Sequence, residues 1–318
     1  MSNIRLGLCC LNVTLREQKP SIFASRSMTL DGVRKYGLSE LQARTLANLA
    51  DICTMIEWNE KHNIKVFRLS SEIFPQFTNP LILDILRDRG DGEYNMLFAR
   101  EALAKIGELA NKYKHRITFH PSHYNVLATN NPIALKKTIA DLTYHADMLE
   151  YMNCGIDSVM VVHGGGTYGD KNKSIKRWCK QYKLLPPYVK RRLVLENDER
   201  NYSIADCLYV SSIVGVPVCF DIFHHVCYTK THPNDNMQPP EIYIPQILET
   251  WGKIRPKFHL SEQGNGKTGN HSDYVNVIPN CLLDIPKKYN IGIDIMIEAK
   301  MKELAIQKLY KKYPNLKA

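Results

Sequence analysis

The sequence predicts an α/β fold, a single (β/α)₈ barrel that carries its chemistry at the C-terminal ends of the strands. Three observations lead there. Eight short runs rich in Ile, Val, Leu and Phe recur along the 318 residues. Segments with helical periodicity separate them, which is the pattern of repeated βα units. Six of the eight runs end in His, Asp or Glu. Barrels of roughly 250 residues commonly fold as one unit with insertions, so one domain over 1–318 is expected. No G-x-G-x-x-G follows the first run to favour an open dinucleotide-binding sheet.

The first run is 4–10 (IRLGLCC). Ser39 and Gln42 then have the spacing of a capping box, with Leu46, Leu49, Cys53 and Ile56 following at intervals of three and four. That pattern predicts a helix before the second run, 64–70 (IKVFRLS). Helical stretches 94–113 and 131–153 precede the third and fourth runs, 116–120 (RITFH) and 157–163 (DSVMVVH). After the fifth, 192–198 (RLVLEND), stretches 203–213 and 241–251 alternate with 216–221 (VPVCFD) and 257–262 (KFHLSE). The segment 264–273 (GNGKTGNHSD) is a flexible loop by composition. The eighth run, 291–298 (IGIDIMIE), leads into a last helix at 300–312.

Lys and Arg number 42 against 32 Asp and Glu, and the net charge of +10 favours a polyanionic partner over a cationic substrate. Basic clusters stand at Lys171, Lys173, Lys176, Arg177, Lys180 and Lys183 and at Lys190, Arg191 and Arg192. Each is equally well read as a solvated helix face. The nine cysteines are scattered without a Cys-x-x-Cys pair, which argues against a disulfide framework or a zinc ribbon. An intracellular, reducing compartment is expected, with no secretion. No apolar stretch approaches the roughly 20 residues of a membrane span. His163-Gly164-Gly165-Gly166 lacks the Lys-Ser/Thr ending of a phosphate loop, so no organic cofactor is expected.

The third to eighth runs end in His120, His163, Glu196, Asp221 (with His224 just beyond), His259 and Glu298. In a barrel these ends converge on one face. One strand-end His is commonly a satisfied polar group, but six strands that reserve this position for His, Asp or Glu would bury many ionisable groups at high cost without a cation. A multinuclear site for Zn²⁺, Mn²⁺ or Fe follows, which the loop residue His271 can join. His62, His115, His145, His225 and His232 read as non-ligands. Several adjacent metals suit phosphodiester hydrolysis, and similar barrels with one or two suit sugar isomerisation. The ligand set does not choose; the positive charge prefers the first.

The chain resembles the UV damage endonuclease family from about Arg5 to Lys300. The resemblance is carried, in order, by Arg5-Leu6-Gly7 with Leu11-Asn12-Val13-Thr14-Leu15-Arg16, Phe67-Arg68-Leu69-Ser70-Ser71, Phe119-His120-Pro121 with Tyr124, and His163-Gly164-Gly165 with Tyr168-Gly169-Asp170-Lys171. Further on it is carried by Arg192 to Asp198, Asp221-Ile222-Phe223-His224-His225, Lys257-Phe258-His259-Leu260-Ser261 and Met296-Ile297-Glu298-Ala299-Lys300. It implies a barrel of endonuclease IV-like architecture that nicks damaged double-stranded DNA immediately 5′ of cyclobutane pyrimidine dimers and (6-4) photoproducts, and often of abasic sites. It implies up to three divalent ions, commonly Mn²⁺, with Zn²⁺ and Mg²⁺ as alternatives, held by His120, His163, Glu196, Asp221, His224, His259, His271 and Glu298. Glu196, Lys257 and His259 become the catalytic set, and the Lys257 ammonium must be neutralised or paired so near cations. His123 and Tyr124 would probe the duplex, with Asn12 on the facing loop. The chain departs from the family where it has His123 in place of Gln, and Leu8 where Tyr is common. A monomer is expected. The competing readings are an endonuclease limited to abasic sites, a sugar isomerase, and a catalytically silent damage-binding protein.

Overall fold

The computed structural model describes residues 3–317. Eight parallel strands form its sheet: β1 (Ile4–Cys9), β2 (Val66–Arg68), β3 (Arg116–Thr118), β4 (Met160–His163), β5 (Leu193–Glu196), β6 (Val218–Asp221), β7 (Lys257–Leu260) and β8 (Ile293–Ile297). They run in the order β3-β2-β1-β8-β7-β6-β5-β4. The ends of this sheet meet through one parallel bridge, Phe119 to Met160, so the barrel closes. There Phe119 N–H donates to Val159 O and Val161 N–H to Phe119 O, both at 3.0 Å.

Each expected run contains one strand, shorter than the run, because pairing is confined to the waist and the strand ends leave it as loops. The expected helices appear as Arg100–Tyr113, Pro132–Tyr151, Ile204–Val214, Pro240–Thr250 and Lys302–Lys312. Local chemistry accounts for their starts. Asn131 accepts from Ile133 and Ala134 N–H at one start, and Ser203 and Asp206 form a reciprocal capping box at another.

The capping box expected at Ser39 and Gln42 is not formed. The helix instead runs Leu30–Lys61, begins on Thr29, whose side chain accepts from Gly32 N–H, and breaks at Gly37 (φ 69°, ψ −158°). Leu38 N–H, freed by that break, donates to Asp91 Oδ2 at 3.2 Å, so a distant carboxylate replaces the local cap. Ser39 only donates back to Tyr36 O. Helices Leu81–Arg89, Lys171–Tyr182 and Ile222–Thr231 complete the longer elements.

Alternation along the strands sends one set of side chains outward beneath the helices and the other into the lumen. Arg5 pairs with Asp294 and Gly7 with Met296 across β1 and β8, so successive layers can be read from the register. At the N-terminal end, buried Asp294 receives Arg5 at 2.7 Å, Arg116 at 2.8 Å and Arg255 at 2.8 Å. Above lies a thin apolar layer of Cys9, Val66 and Met296, separate from the main core. Gly7 makes room for it, since a Cβ there would sit 2.8 Å from Met296 Cε. The next layer upward is polar.

Candidate metal centre

Glu196 ends β5 and is fully buried. Its Oε1 accepts from His259 Nδ1 at 2.6 Å. Its Oε2 lies 2.9 Å from His120 Nε2 and 3.8 Å from His163 Nε2. His163 is the register partner of Glu196, and His259 that of Asp221. Glu298, one layer above Met296, is held by Arg68 and stands 3.4 Å from His259 Nδ1.

Asp221 does two things. Its Oδ1 accepts His224 N–H at 2.8 Å and so caps the helix Ile222–Thr231. That leaves Oδ2 buried with no hydrogen-bond partner. Asn197 clamps the same turn: its side chain donates to Asp221 O and accepts from Asp221 N–H, both at 2.9 Å. Its carbonyl lies 3.0 Å from His224 Nδ1. A carbonyl can only accept, so Nδ1 carries a proton, and Nε2 is the nitrogen that a metal ion would take once it displaces the second proton of the ring.

Burial raises the Glu196 carboxyl, but His259, His163 and His120 outweigh that and hold it well below the usual carboxylate range. For Glu298 burial is likewise overcome, chiefly by Arg68 and His259. Burial pulls His120, His163 and His259 below the ordinary imidazole value against the lift from Glu196, which favours the neutral form that binds metal. His224 differs. Burial pulls it down, yet Asp221, Glu196 and Glu298 lift it to about 9, so this cluster of carboxylates draws in positive charge. Burial pushes Asp221 up to about 6.

The donor set fits divalent metal ions. His163 Nδ1, Asp221 Oδ2, His259 Nε2 and Ser261 Oγ are buried without hydrogen-bond partners at this one end of the barrel. Native proteins rarely leave such a concentration unsatisfied unless a ligand or ion completes it. Three groupings, His120–His163–Glu196, His120–His259–Glu298 and Glu196–Asp221–His224, each bring their ligand atoms within 4.8 Å of one another.

The other expected site residues are placed less uniformly. His271 sits at the rim, its Nδ1 3.9 Å from Glu298 Oε2, on a loop pinned by the bridge from Gln263. Lys257 lies two residues below His259 in the lumen, donating to Thr118 Oγ1 at 3.2 Å, and burial lowers it to about 8. His123 and Tyr124 stand together on the loop after β3, ring centroids 4.1 Å apart, with Tyr124 81% exposed. Asn12 is not exposed as they are. It is fully buried, its Nδ2 donating to Asn59 Oδ1 at 2.8 Å, because the helix Leu30–Lys61 packs over the end of β1. Leu8 is buried too.

The basic clusters divide. Arg192 is buried below β5 on the Cys154, Gly155 and Ser158 carbonyls, and Lys171 is tied to Asp206 and Tyr228. His62 and His232 stack on Trp58 and Tyr228, and His115, His145 and His225 contact Glu60, Asp141 and Gln238, away from the cluster. The glycines after His163 serve packing. A Cβ on Gly164 would lie 2.2 Å from the Tyr202 ring, and Gly165 (φ 89°) abuts Val126. Sequence reasoning missed Arg68, Asn197 and Cys219. Alternation from Val66 would have turned Arg68 into the lumen, and alternation from Asp221 would have done the same for Cys219.

The model of the family described as UV-endonuclease UvdE matches residues 4–318. A protein of Acanthamoeba polyphaga mimivirus is 37% identical over 98% of this chain and 91% of its own length. The UV-damage endonuclease of Schizosaccharomyces pombe is 33% identical over 97% of this chain, which spans only 50% of that longer protein. The crystal structure of SacUVDE superposes with a TM-score of 0.81 at 28% identity, covering 98% of this chain and 100% of that one. Whole-chain agreement in sequence and in barrel architecture has one meaning: the chain belongs to the UV-endonuclease UvdE family.

Proposed function

We propose that this chain is a metal-dependent DNA endonuclease of excision repair. In this reading it hydrolyses the phosphodiester immediately 5′ of cyclobutane pyrimidine dimers and (6-4) photoproducts, and also acts at abasic sites. One observation carries the reading: strand-end His, Asp and Glu side chains converge around Glu196 with their lone pairs unspent. Divalent ions held there, Mn²⁺ and up to three in number, would supply Lewis acidity to the phosphate and lower the pKa of water. His120, His163, Glu196, Asp221, His224, His259, His271 and Glu298 would hold them.

The protein's own part is preorganisation. Asn197 fixes the His224 ring, the helix cap locks one oxygen of Asp221, and Arg68 keeps Glu298 ionised and aimed inward. Lys257 adds positive charge beneath His259. At the rim His123 and Tyr124 offer an exposed aromatic pair to the duplex. A lesion that already weakens stacking lowers the cost of extrusion, and a ring fills the gap. Damage is then read as deformability. The whole chain acts as one barrel domain, a monomer inside the cell.

Nicking of defined duplexes containing a dimer, a (6-4) photoproduct, an abasic site or no lesion, with added Mn²⁺, tests the reading. Cleavage 5′ of both photoproducts is expected. Cleavage at the abasic site alone would leave the endonuclease IV-like alternative, and none on any duplex would sink both.

A further inference from the structure

We propose that the lumen also contains a binding position for a thiophilic divalent cation such as Zn²⁺ or Cd²⁺, formed by Cys219, Glu196 and His259. Phe220 turns outward onto the rings of His225 and Tyr243, so its neighbours Cys219 and Asp221 face inward. Cys219 is the register partner of Glu196 across β5 and β6. Its sulfur and the ligand atoms of Glu196 and His259 lie within 4.8 Å of one another, all three residues buried. Bonds of about 2.0–2.3 Å to one ion need a slightly tighter triangle, which small rotamer adjustments supply. His259 carries a fully buried atom without a hydrogen-bond partner, Nε2, and Glu196 a fully buried carboxylate, so the position is not a lone cysteine in a packed wall.

Ligation displaces the thiol proton to solvent, and thiolate plus carboxylate then oppose the charge of the dication and of the Lys257 ammonium below it. Hard ions such as Mn²⁺ and Mg²⁺ gain little from sulfur; Zn²⁺ and Cd²⁺ gain much. Because Glu196 and His259 are shared with the proposed catalytic centre, occupation here withdraws them from it, so thiophilic ions inhibit. The inference rests on that reading for these two ligands. The competing account is that Cys219 fills space as a small apolar side chain.

Metal-free protein is titrated with Cd²⁺ while the ultraviolet sulfur-to-cadmium charge-transfer band is followed in wild type, Cys219→Val and Cys219→Ser, with circular dichroism reporting the fold. Wild type is expected to show a saturable band component that both variants lack. The Cd²⁺ concentration that halves Mn²⁺-supported nicking, scaled to each protein's uninhibited rate, should rise about tenfold or more in the variants. Identical bands and inhibition curves in wild type and either folded variant overturn the proposal. A Cys219-dependent band in a protein that shows no Mn²⁺ binding by electron paramagnetic resonance and no nicking would uphold this position while refuting the function proposed above.

Discussion

Replacing Asp294 by asparagine separates the two ends of the lumen. Its carboxylate is fully buried, and three guanidinium groups reach it at 2.7–2.8 Å. Burial opposes its charge, but Arg116, Arg5 and Arg255 together hold it down at about 2. Against an unfolded carboxyl near 3.9, that difference of roughly two units corresponds to about 2–3 kcal/mol. The contribution is complete above about pH 5 and is lost as pH falls towards about 2, since the unfolded chain takes up the proton first. The asparagine loses more, because an amide presents N–H groups to Arg116, which is 1% exposed and left without its counter-ion. Removing one partner of a buried pair costs about 3–5 kcal/mol, or roughly 4–8 °C in a protein of this size. Thermal and urea unfolding between about pH 3 and 7 measure it: the variant should unfold earlier and show a shallower acid limb than the wild-type profile, by Asp294's share. Asp294 on β8 and Glu298 just beyond its end lie four residues apart, about 13 Å, so metal bound per folded molecule should match wild type. A midpoint within about 1 °C of wild type would mean that Asp294 contributes no such stability, and a folded variant with reduced metal content would mean that the two ends of the lumen are coupled.

Glu196→Gln should abolish nicking and lower Mn²⁺ stoichiometry while leaving circular dichroism unchanged, since the amide keeps the shape without the charge; normal nicking by the folded variant would remove Glu196 from the centre. Tyr124→Ala should weaken binding to dimer-containing duplex by about tenfold, well beyond its effect on undamaged duplex, at constant metal content, as lost stacking of about 1–3 kcal/mol implies. Equal loss on both DNAs, read by fluorescence anisotropy, would assign the wedge elsewhere. Gly164→Ala must push the Tyr202 ring or the His163 backbone aside, so unfolding and metal titration should show a stability loss of about 1–3 kcal/mol together with weaker metal binding; wild-type values for both would contradict the packing role.

Much of the centre was legible because its signal is local. A strand of known direction puts its last residues at one end of the barrel: His163, Glu196 and Asp221 end β4, β5 and β6, and His120, His259 and Glu298 stand within two residues of the ends of β3, β7 and β8. The residues that escaped depend on distant partners. Asn12 looks like a loop polar group until Asn59, 47 positions away, packs against it. The helix start expected at Ser39 failed because Thr29 and Asp91 supply the caps, and Asp91 is 53 residues from the N–H it satisfies. Arg192 belongs by sequence to a basic cluster, yet three backbone carbonyls and Glu150 absorb it. Charge composition says nothing of such absorption, which is why the basic segments divided into structural and exposed members.

The barrel has a seam. β1 and β8 are zipped over five register pairs, whereas among the described residues β3 and β4 are stitched by the single bridge at Phe119 and Met160. His120 follows that stitch on one lip and His163 ends the other, their rings 5.0 Å apart over Glu196. An ion shared by the two imidazoles would therefore be a rivet across the weakest join of the cylinder, holding shut what two backbone hydrogen bonds only baste. In hydrogen–deuterium exchange the amides of Phe119 and Val161 should quicken when the metal is removed, ahead of those along β1 and β8, so that the barrel unbuttons where it is chemically armed.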